Sequence, residues 1–313
     1  MAERLTDSQL LELLNDIESD TSERKSSFKG DTADAARQAI CALASEQDER
    51  ILNERRRYKN LPYDLYPMYN TSISELSRAV FEDDYLPKAF APEILAANNR
   101  TYEERLASCR MIVSPEEPVP TLHGLLALGR NPQRHVYGAY IQFLRLDGTR
   151  LSDEIIDEER LDGNIVEMLR RATEKLNSHN RRAYDITSGS THKITSLYPI
   201  PAIQQVLYNA VMHRTYERTN APIHLYWYDD RIEIVNPGGL YGNVTREKFG
   251  LPGIVDYRNP NIAATMKIFG IVQGFGRGVT IAREEMEKNG NPEPEFYYDQ
   301  SIMKCILKKS LNR

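Results

Sequence analysis

The chain has 313 residues, 41% of them hydrophobic and 27% charged, with a net charge of −5. That is an ordinary soluble composition, long enough for roughly two domains with real cores, and the acidic balance excludes a global basic footprint for nucleic acid. Three well-separated cysteines (Cys41, Cys109 and Cys305) argue for a reducing compartment, and no CxxC or HxxxH spacing supports a zinc site.

The first twenty residues, MAERLTDSQLLELLNDIESD, are acidic and lack a long apolar run. They predict neither a signal peptide nor a membrane span, so the expectation is a cytoplasmic protein with no membrane partner. Residues 6–18 place Leu10, Leu13, Leu14 and Ile17 at helical spacing behind a Thr6-Asp7-Ser8 cap signal. A polar stretch follows, then a second helical pattern in TADAARQAICALA and a charged, helix-like SEQDERILNERRRYK. The basic clusters at residues 54–59 and at Arg181-Arg182 read as solvated surface. NLPYDLYPMYNTS is a proline- and tyrosine-rich connector. SISELSRAVFEDDYL, APEILAANN and TYEERLASCRMIV predict three short helices.

Beyond Pro120 the texture changes. TLHGLLALG and AYIQFLRLDG carry β-type runs around the turn RNPQRH. DGNIVEMLRRATEKLNSHN predicts an amphipathic helix with Ile165, Met168, Leu169, Ala172 and Leu176 on one face. DEER, residues 157–160, reads as a surface charge run.

YPIPAIQQVLYNAVMHRTY is the most informative stretch. On a helical wheel Ile200, Ile203, Leu207, Ala210 and Val211 share one face, while Gln205, Asn209 and His213 stack at spacings of four on another. That polar stripe also carries Met212 and Tyr216 and no carboxylate or lysine, which suits the half-buried wall of a pocket. APIHLYWYDD and RIEIVNPGG then predict a β-hairpin that ends in a glycine turn, Asn236 to Gly239. Residues 240–259 lack a sustained period and read as a mobile loop or lid. RNPNIAATMKIFG predicts a helix capped by Asn259, entered at Pro260 and stopped at Gly270. The glycine-rich VQGFGRG leads into another helix, closed by Gly290, and two strands finish the chain.

This order, carried by YNAVMHRTY, DDRIEIVNPGGL, YRNPNIA and GIVQGFGRGVTIAREEMEKNG, resembles the Bergerat-type ATP-binding fold of the GHKL superfamily. More closely, it resembles the C-terminal domain of bacterial transcriptional regulators and RecG-like proteins that begin with a Schlafen AlbA-type domain. The resemblance implies an α+β fold, with a helical N-terminal region followed by a GHKL-like α/β sandwich. It divides the chain into an AlbA-type remnant at 1–44, a helical linker at 45–118, a middle α/β segment at 119–197 and the ATP-binding domain at 198–313.

The same resemblance implies site residues. Asn209 corresponds to the Asn that holds Mg²⁺ against ATP, with His213 beside it. Gly274, Gly276, Arg277 and Gly278 correspond to the phosphate-binding loop, and Asn236, Gly238 and Gly239 to the turn that reads adenine. Two positions depart from the pattern: Gln205 stands where the general base is usually Glu, and Asn236 where the adenine-reading residue is usually Asp. An amide cannot accept a proton at neutral pH, so nucleotide binding is expected over turnover, and no catalytic residue is assigned.

Three readings follow: an ATP-binding regulator, a slow ATPase whose base lies elsewhere (Glu247 in the lid, for example), and a non-enzymatic interaction protein with a vestigial pocket. No GxxxxGK[ST] motif is present, so helicase activity has no motif support. IESDTSERKSSFK and DAARQAICALA resemble the start of the AlbA-type domain, with Glu23, Arg24 and Lys25 as its charged remnant. The strands that should follow are missing, so DNA is the weaker partner expectation and the nucleotide the stronger.

Overall fold

Alternating apolar residues in the strands and 3.6-residue periodicity in the helices are satisfied together by one sheet with helices on one face. The computed structural model describes residues 61–180, 182–185, 193–217, 219–251, 253–273 and 276–310. The expectations for residues 1–60, including the first helices, the AlbA-type remnant and Cys41, lie outside the described residues, as do Arg181 and Gly274.

The elements, in chain order, begin with three short 3-10 or π turns at Tyr63–Leu65, Ile73–Glu75 and Val80–Tyr85. Helices α1 (Leu86–Ala89), α2 (Pro92–Ala96), α3 (Tyr102–Ser108) and α4 (Leu122–Leu128) follow. Strands β1 (Ile141–Asp147) and β2 (Glu154–Leu161) precede helix α5 (Ile165–His179) and the short pair β3 (Arg182–Asp185) and β4 (Lys193–Ser196). Next come α6 (Ile200–His213), β5 (Ile223–Trp227), β6 (Arg231–Pro237), α7 (Pro260–Ile268), α8 (Gly278–Asn289), β7 (Glu295–Tyr298) and β8 (Ile302–Lys308). Six strands form one mixed sheet in the order β2-β1-β5-β6-β8-β7, in which only the β1–β5 pair is parallel. The fold is therefore α+β, with a layer of helices over a mixed sheet.

The main core lies between that sheet and the helices. Ile141 and Phe143 of β1, Ile223, Leu225 and Trp227 of β5, and Ile232 and Ile234 of β6 meet the apolar faces of α5, α6 and α8. The five residues expected on the inner face of α5 are all buried. In α6, Ile203, Leu207, Ala210 and Val211 are buried while Gln205, Asn209 and His213 are half-buried, as the wheel predicts. A second cluster (Leu76, Phe81, Tyr85, Leu106, Met111 and neighbours) packs the helical segment against the other side of α4. Helix α4 serves both cores, with Leu122 and Leu126 in the first and Leu125 and Leu128 in the second.

Three sequence expectations need correction. TLHGLLALG is not a strand. It forms α4, with Thr121 accepting from the Gly124 N–H at 2.9 Å as its cap. All seven α4 residues are buried, so no polar face reveals the period, and a short apolar run reads equally as buried strand or buried helix. The DEER run is not plain surface: it lies in the edge strand β2. There Asp157 and Glu159 turn toward α5 and pair with Lys175 at 2.9 and 2.6 Å, and Arg171 reaches Glu159 at 2.8 Å. Asn259 holds the N-cap position of α7, but its side chain does not cap the helix. Its amide donates to the carbonyls of Met212 and Arg214, both at 2.8 Å, and so ties α7 to the end of α6.

The cap of α7 comes instead from Asp64, almost two hundred residues upstream. Its fully buried carboxylate accepts from the backbone N–H of Asn261 (2.7 Å) and Ile262 (3.0 Å) and from the Asn261 amide (2.9 Å). Free N–H groups and the helix dipole at this end favour an anion. Around it, Arg110 donates to the Asn261 amide oxygen at 3.1 Å, and buried His123 bridges the Arg110 carbonyl and the Thr265 hydroxyl. The carbonyl can only accept, so Nδ1 of His123 carries the proton and Nε2 accepts from Thr265 at 2.7 Å. Burial pushes the His123 pKa down, which favours the neutral ring.

Candidate functional site

The polar stripe of α6, the end of β6, the lid and the start of α8 converge on one cavity of about 120 Å³. Its floor is apolar: Val206 and Ala210 of α6, Ile234 of β6, Phe296 of β7, and Met303 and Cys305 of β8. Asn236 continues the inward series Ile232, Ile234 along β6 and so projects into this floor. It is 3% exposed, and its Oδ1 has no hydrogen-bond partner. A buried acceptor left without a donor costs about 1–3 kcal/mol, and this one belongs to a residue that lines the cavity.

A smaller adjoining cavity of about 50 Å³ is lined by Gln205, Asn209, His213, Tyr257, Gly276, Arg277 and Gly278. Asn209 and His213 line both spaces. Here α8 comes very close to α6: a Cβ at Gly278 would lie 2.5 Å from Nδ2 of Asn209. A side chain at this position would require the Asn209 amide to turn aside. Gly276 has φ of +63°, and a Cβ there would meet Val255 of the lid at 2.0 Å, so glycine is required twice over. Helix α8 has twelve residues and no side-chain cap, which leaves its first N–H groups directed at this smaller space. Arg277 is exposed at its rim.

His213 stacks on Tyr257 with ring centroids 5.6 Å apart and planes 10° from parallel. Burial first, and then the charge of Arg258, push its pKa down to about 4. It is therefore a neutral imidazole at physiological pH, able to donate and accept one hydrogen bond each. Arg258 donates to the carbonyls of His213 (3.0 Å) and Gly239 (3.1 Å), joining the end of α6 to the glycine turn.

The lid, residues 240–259, holds no helix or strand among its described residues. Phe249 anchors it edge-on against Phe296, centroids 5.1 Å apart, and beside Tyr298 at 5.4 Å. Asp256 is the one carboxylate lining the described cavity, and its Oδ2 accepts from the Asn243 N–H at 3.0 Å. Glu247 is exposed and bonded to the Thr245 hydroxyl at 2.8 Å, away from the lining.

Of the residues singled out from sequence, the structure brings Gln205, Asn209, His213, Asn236, Gly239, Gly276, Arg277 and Gly278 to these two spaces. Gly238 is the exception. It lines a separate groove beyond the turn, with Thr215, His224 and Arg258. Sequence reasoning missed Asp256, Tyr257, Arg258 and the aromatic anchor of the lid, because an irregular loop has no period to show which side chains turn inward. Among the described residues no cluster of three His, Cys, Asp or Glu is placed to hold a metal, and no helix is long and apolar enough to cross a membrane.

Comparison with known proteins gives this geometry a context. Residues 220–307 match the family model described as "Putative ATP-dependent DNA helicase recG C-terminal". The C-terminal region is similar to that ATPase-type domain. The match supports a GHKL-like ATP-binding domain there and covers the hairpin, the lid, both later helices and most of β8. Among solved structures, the DIP2311 protein from Corynebacterium diphtheriae is similar in fold, with a TM-score of 0.62 at 19% sequence identity. The likeness covers 82% of this chain and 49% of that one, so this chain spans about half the length of its structural relative. No curated protein matches the sequence.

Proposed function

We propose that the protein binds a purine nucleoside triphosphate with Mg²⁺ in the joined cavities, as a nucleotide-responsive regulator rather than a fast hydrolase. The observation that carries this reading is Asn236: a buried, unpartnered amide at the bottom of an apolar chamber, in line with a glycine-rich helix start. The base would sit in the larger chamber against Ile234, Phe296 and Met303. The phosphates would reach the smaller one, where the first N–H groups of α8 and the rim residue Arg277 favour an anion.

The residues present fit a nucleotide-borne Mg²⁺ in one respect: Asn209 offers an amide oxygen, and Mg²⁺ accepts oxygen ligands while keeping waters and phosphate oxygens for the rest. When bound, the ion would offset phosphate charge. Neutral His213 would stay beside Asn209 as a hydrogen-bonding group without adding charge. Both chambers are small against the roughly 300–1,000 Å³ of ordinary ligand sites, so the lid has to swing outward to admit a whole nucleotide. Phe249 would leave its seat on Phe296 as it does so.

Fast hydrolysis lacks its base. Gln205 lines the smaller space as an amide, and Asp256 is committed to the Asn243 N–H. Gln205→Glu is therefore expected to raise phosphate release above the wild-type rate. The wider role, a transcriptional regulator that reads nucleotide state, rests on the family resemblance. For DNA, weak or no binding to a duplex fragment at physiological salt is expected. The test of the core proposal is a thermal shift with millimolar Mg-ATP, since ligand binding to the native state raises the melting point. An upward shift that Asn209→Ala removes supports the proposal. No shift, with Asn209→Ala behaving as wild type, would refute it.

A further inference from the structure

Asn236 has a consequence for nucleobase choice. It is held on the inner face of β6, opposite Met303 of β8, and is buried to within 3% of its surface. Its Oδ1 has no partner among the described residues. The surrounding floor, formed by Ile234, Phe296, Met303 and Cys305, offers no side-chain hydrogen bond that would dictate its orientation. The terminal torsion of Asn is broad and nearly two-fold, so a half-turn exchanges the carbonyl for the NH₂ at small cost.

We infer that the base chamber accepts both 6-amino and 6-keto purines, with Asn236 as the residue that reads the 6-position in either form. The inference rests on the nucleotide reading above. Adenine presents an exocyclic NH₂ at this position, which the amide oxygen accepts. Hypoxanthine presents a keto oxygen, to which the amide NH₂ donates after the half-turn. A carboxylate at the same place could only accept, and would face the keto oxygen with an unfavourable acceptor–acceptor contact. Sites whose buried polar groups are fixed in one sense reject the mismatched partner strongly; a site whose single reader can reverse does not. Hypoxanthine differs from adenine at the 6-position and the adjacent ring nitrogen without adding the bulk of a 2-amino group, so ITP is the clean probe.

Equilibrium titration of the full chain with Mg-ATP and Mg-ITP, followed by calorimetry, tests this directly. The expected result is two dissociation constants within about tenfold of each other. Asn236→Asp should then separate them, weakening ITP by roughly tenfold or more relative to ATP. Wild-type protein that binds ATP but binds ITP at least about a hundredfold more weakly would overturn the inference and leave nucleotide binding standing. Equal affinities that persist in a folded Asn236→Asp variant would also overturn it, because the reader would then be another group. Binding of neither nucleotide would remove the nucleotide reading and this inference with it.

Discussion

The clamp around Asp64 and the floor of the cavity treat buried polar groups differently, with Asn259 between them also leaving its Oδ1 unpartnered. On the side of α7, Asp64, Asn261, His123 and Thr265 are buried and each has a hydrogen-bond partner. On the side of the cavity, Asn236 is equally buried and its oxygen has none. A satisfied buried network fixes structure, whereas an unsatisfied group carries a standing cost that a ligand can remove. The first arrangement is therefore read as a clamp and the second as a binding site, although their residue types overlap.

Four experiments can break or sharpen that contrast. The largest effect is expected from Asp64→Ala, which strips the cap from α7 and leaves buried donors unpaired. It should cost roughly 2–4 kcal/mol in urea denaturation, while nucleotide affinity of the folded fraction stays unchanged. A large loss of affinity at full occupancy of the fold would mean the clamp is part of the site. Asn236→Leu should do the reverse. Replacing an unpartnered amide by an apolar group of similar size is close to neutral for the fold, within about 1 kcal/mol, whereas ATP affinity should fall about 10–100-fold.

Gly278→Ala is expected to turn the flexible Asn209 amide aside rather than to move backbone, because the nearest atom to the new methyl is Nδ2 of Asn209. Mg-ATP binding should weaken about tenfold, with little change in melting temperature of the apo protein. A variant that binds normally would show that Asn209 does not meet the ligand.

The smallest effect concerns pH. His213 has its pKa lowered to about 4, by burial and then by Arg258, from an ordinary value of 6.5. Between those values the unfolded chain binds the extra proton, so the contribution to stability is complete above pH 6.5 and is lost as pH falls through 4. The slope from one such group is at most about 1.4 kcal/mol per pH unit. Buried His123 shifts in the same direction, so His213→Asn should flatten the stability profile only in part. A profile unchanged by that substitution would mean that the imidazole is solvated.

Much of this was legible in the sequence where burial is one-sided. The α5 and α6 wheels, the β5–β6 hairpin and the glycine stop at Gly290 all follow from a period or a turn residue. The polar stripe of Gln205, Asn209 and His213 was visible because it lacks the carboxylates and lysines of a solvent face. What stayed hidden depends on long-range partners. The α4 run has no polar face to betray its period. The charges of β2 look like surface until Lys175 and Arg171 of α5 are placed opposite them. Nothing local ties Asp64 to Asn261, and so the sequence alone points to Asn259, the nearest residue of suitable type, as the cap.

The central claim is that the unpartnered Asn236 amide marks a nucleotide site. Calorimetric titration of Mg-ATP into wild-type and Asn236→Leu protein, with urea stability measured on both, tests it most directly. The account predicts saturable binding by the wild type, a loss of about 10–100-fold in the variant and nearly equal stabilities. Indistinguishable ATP affinities in two equally stable proteins, or no heat of binding in either, would contradict it.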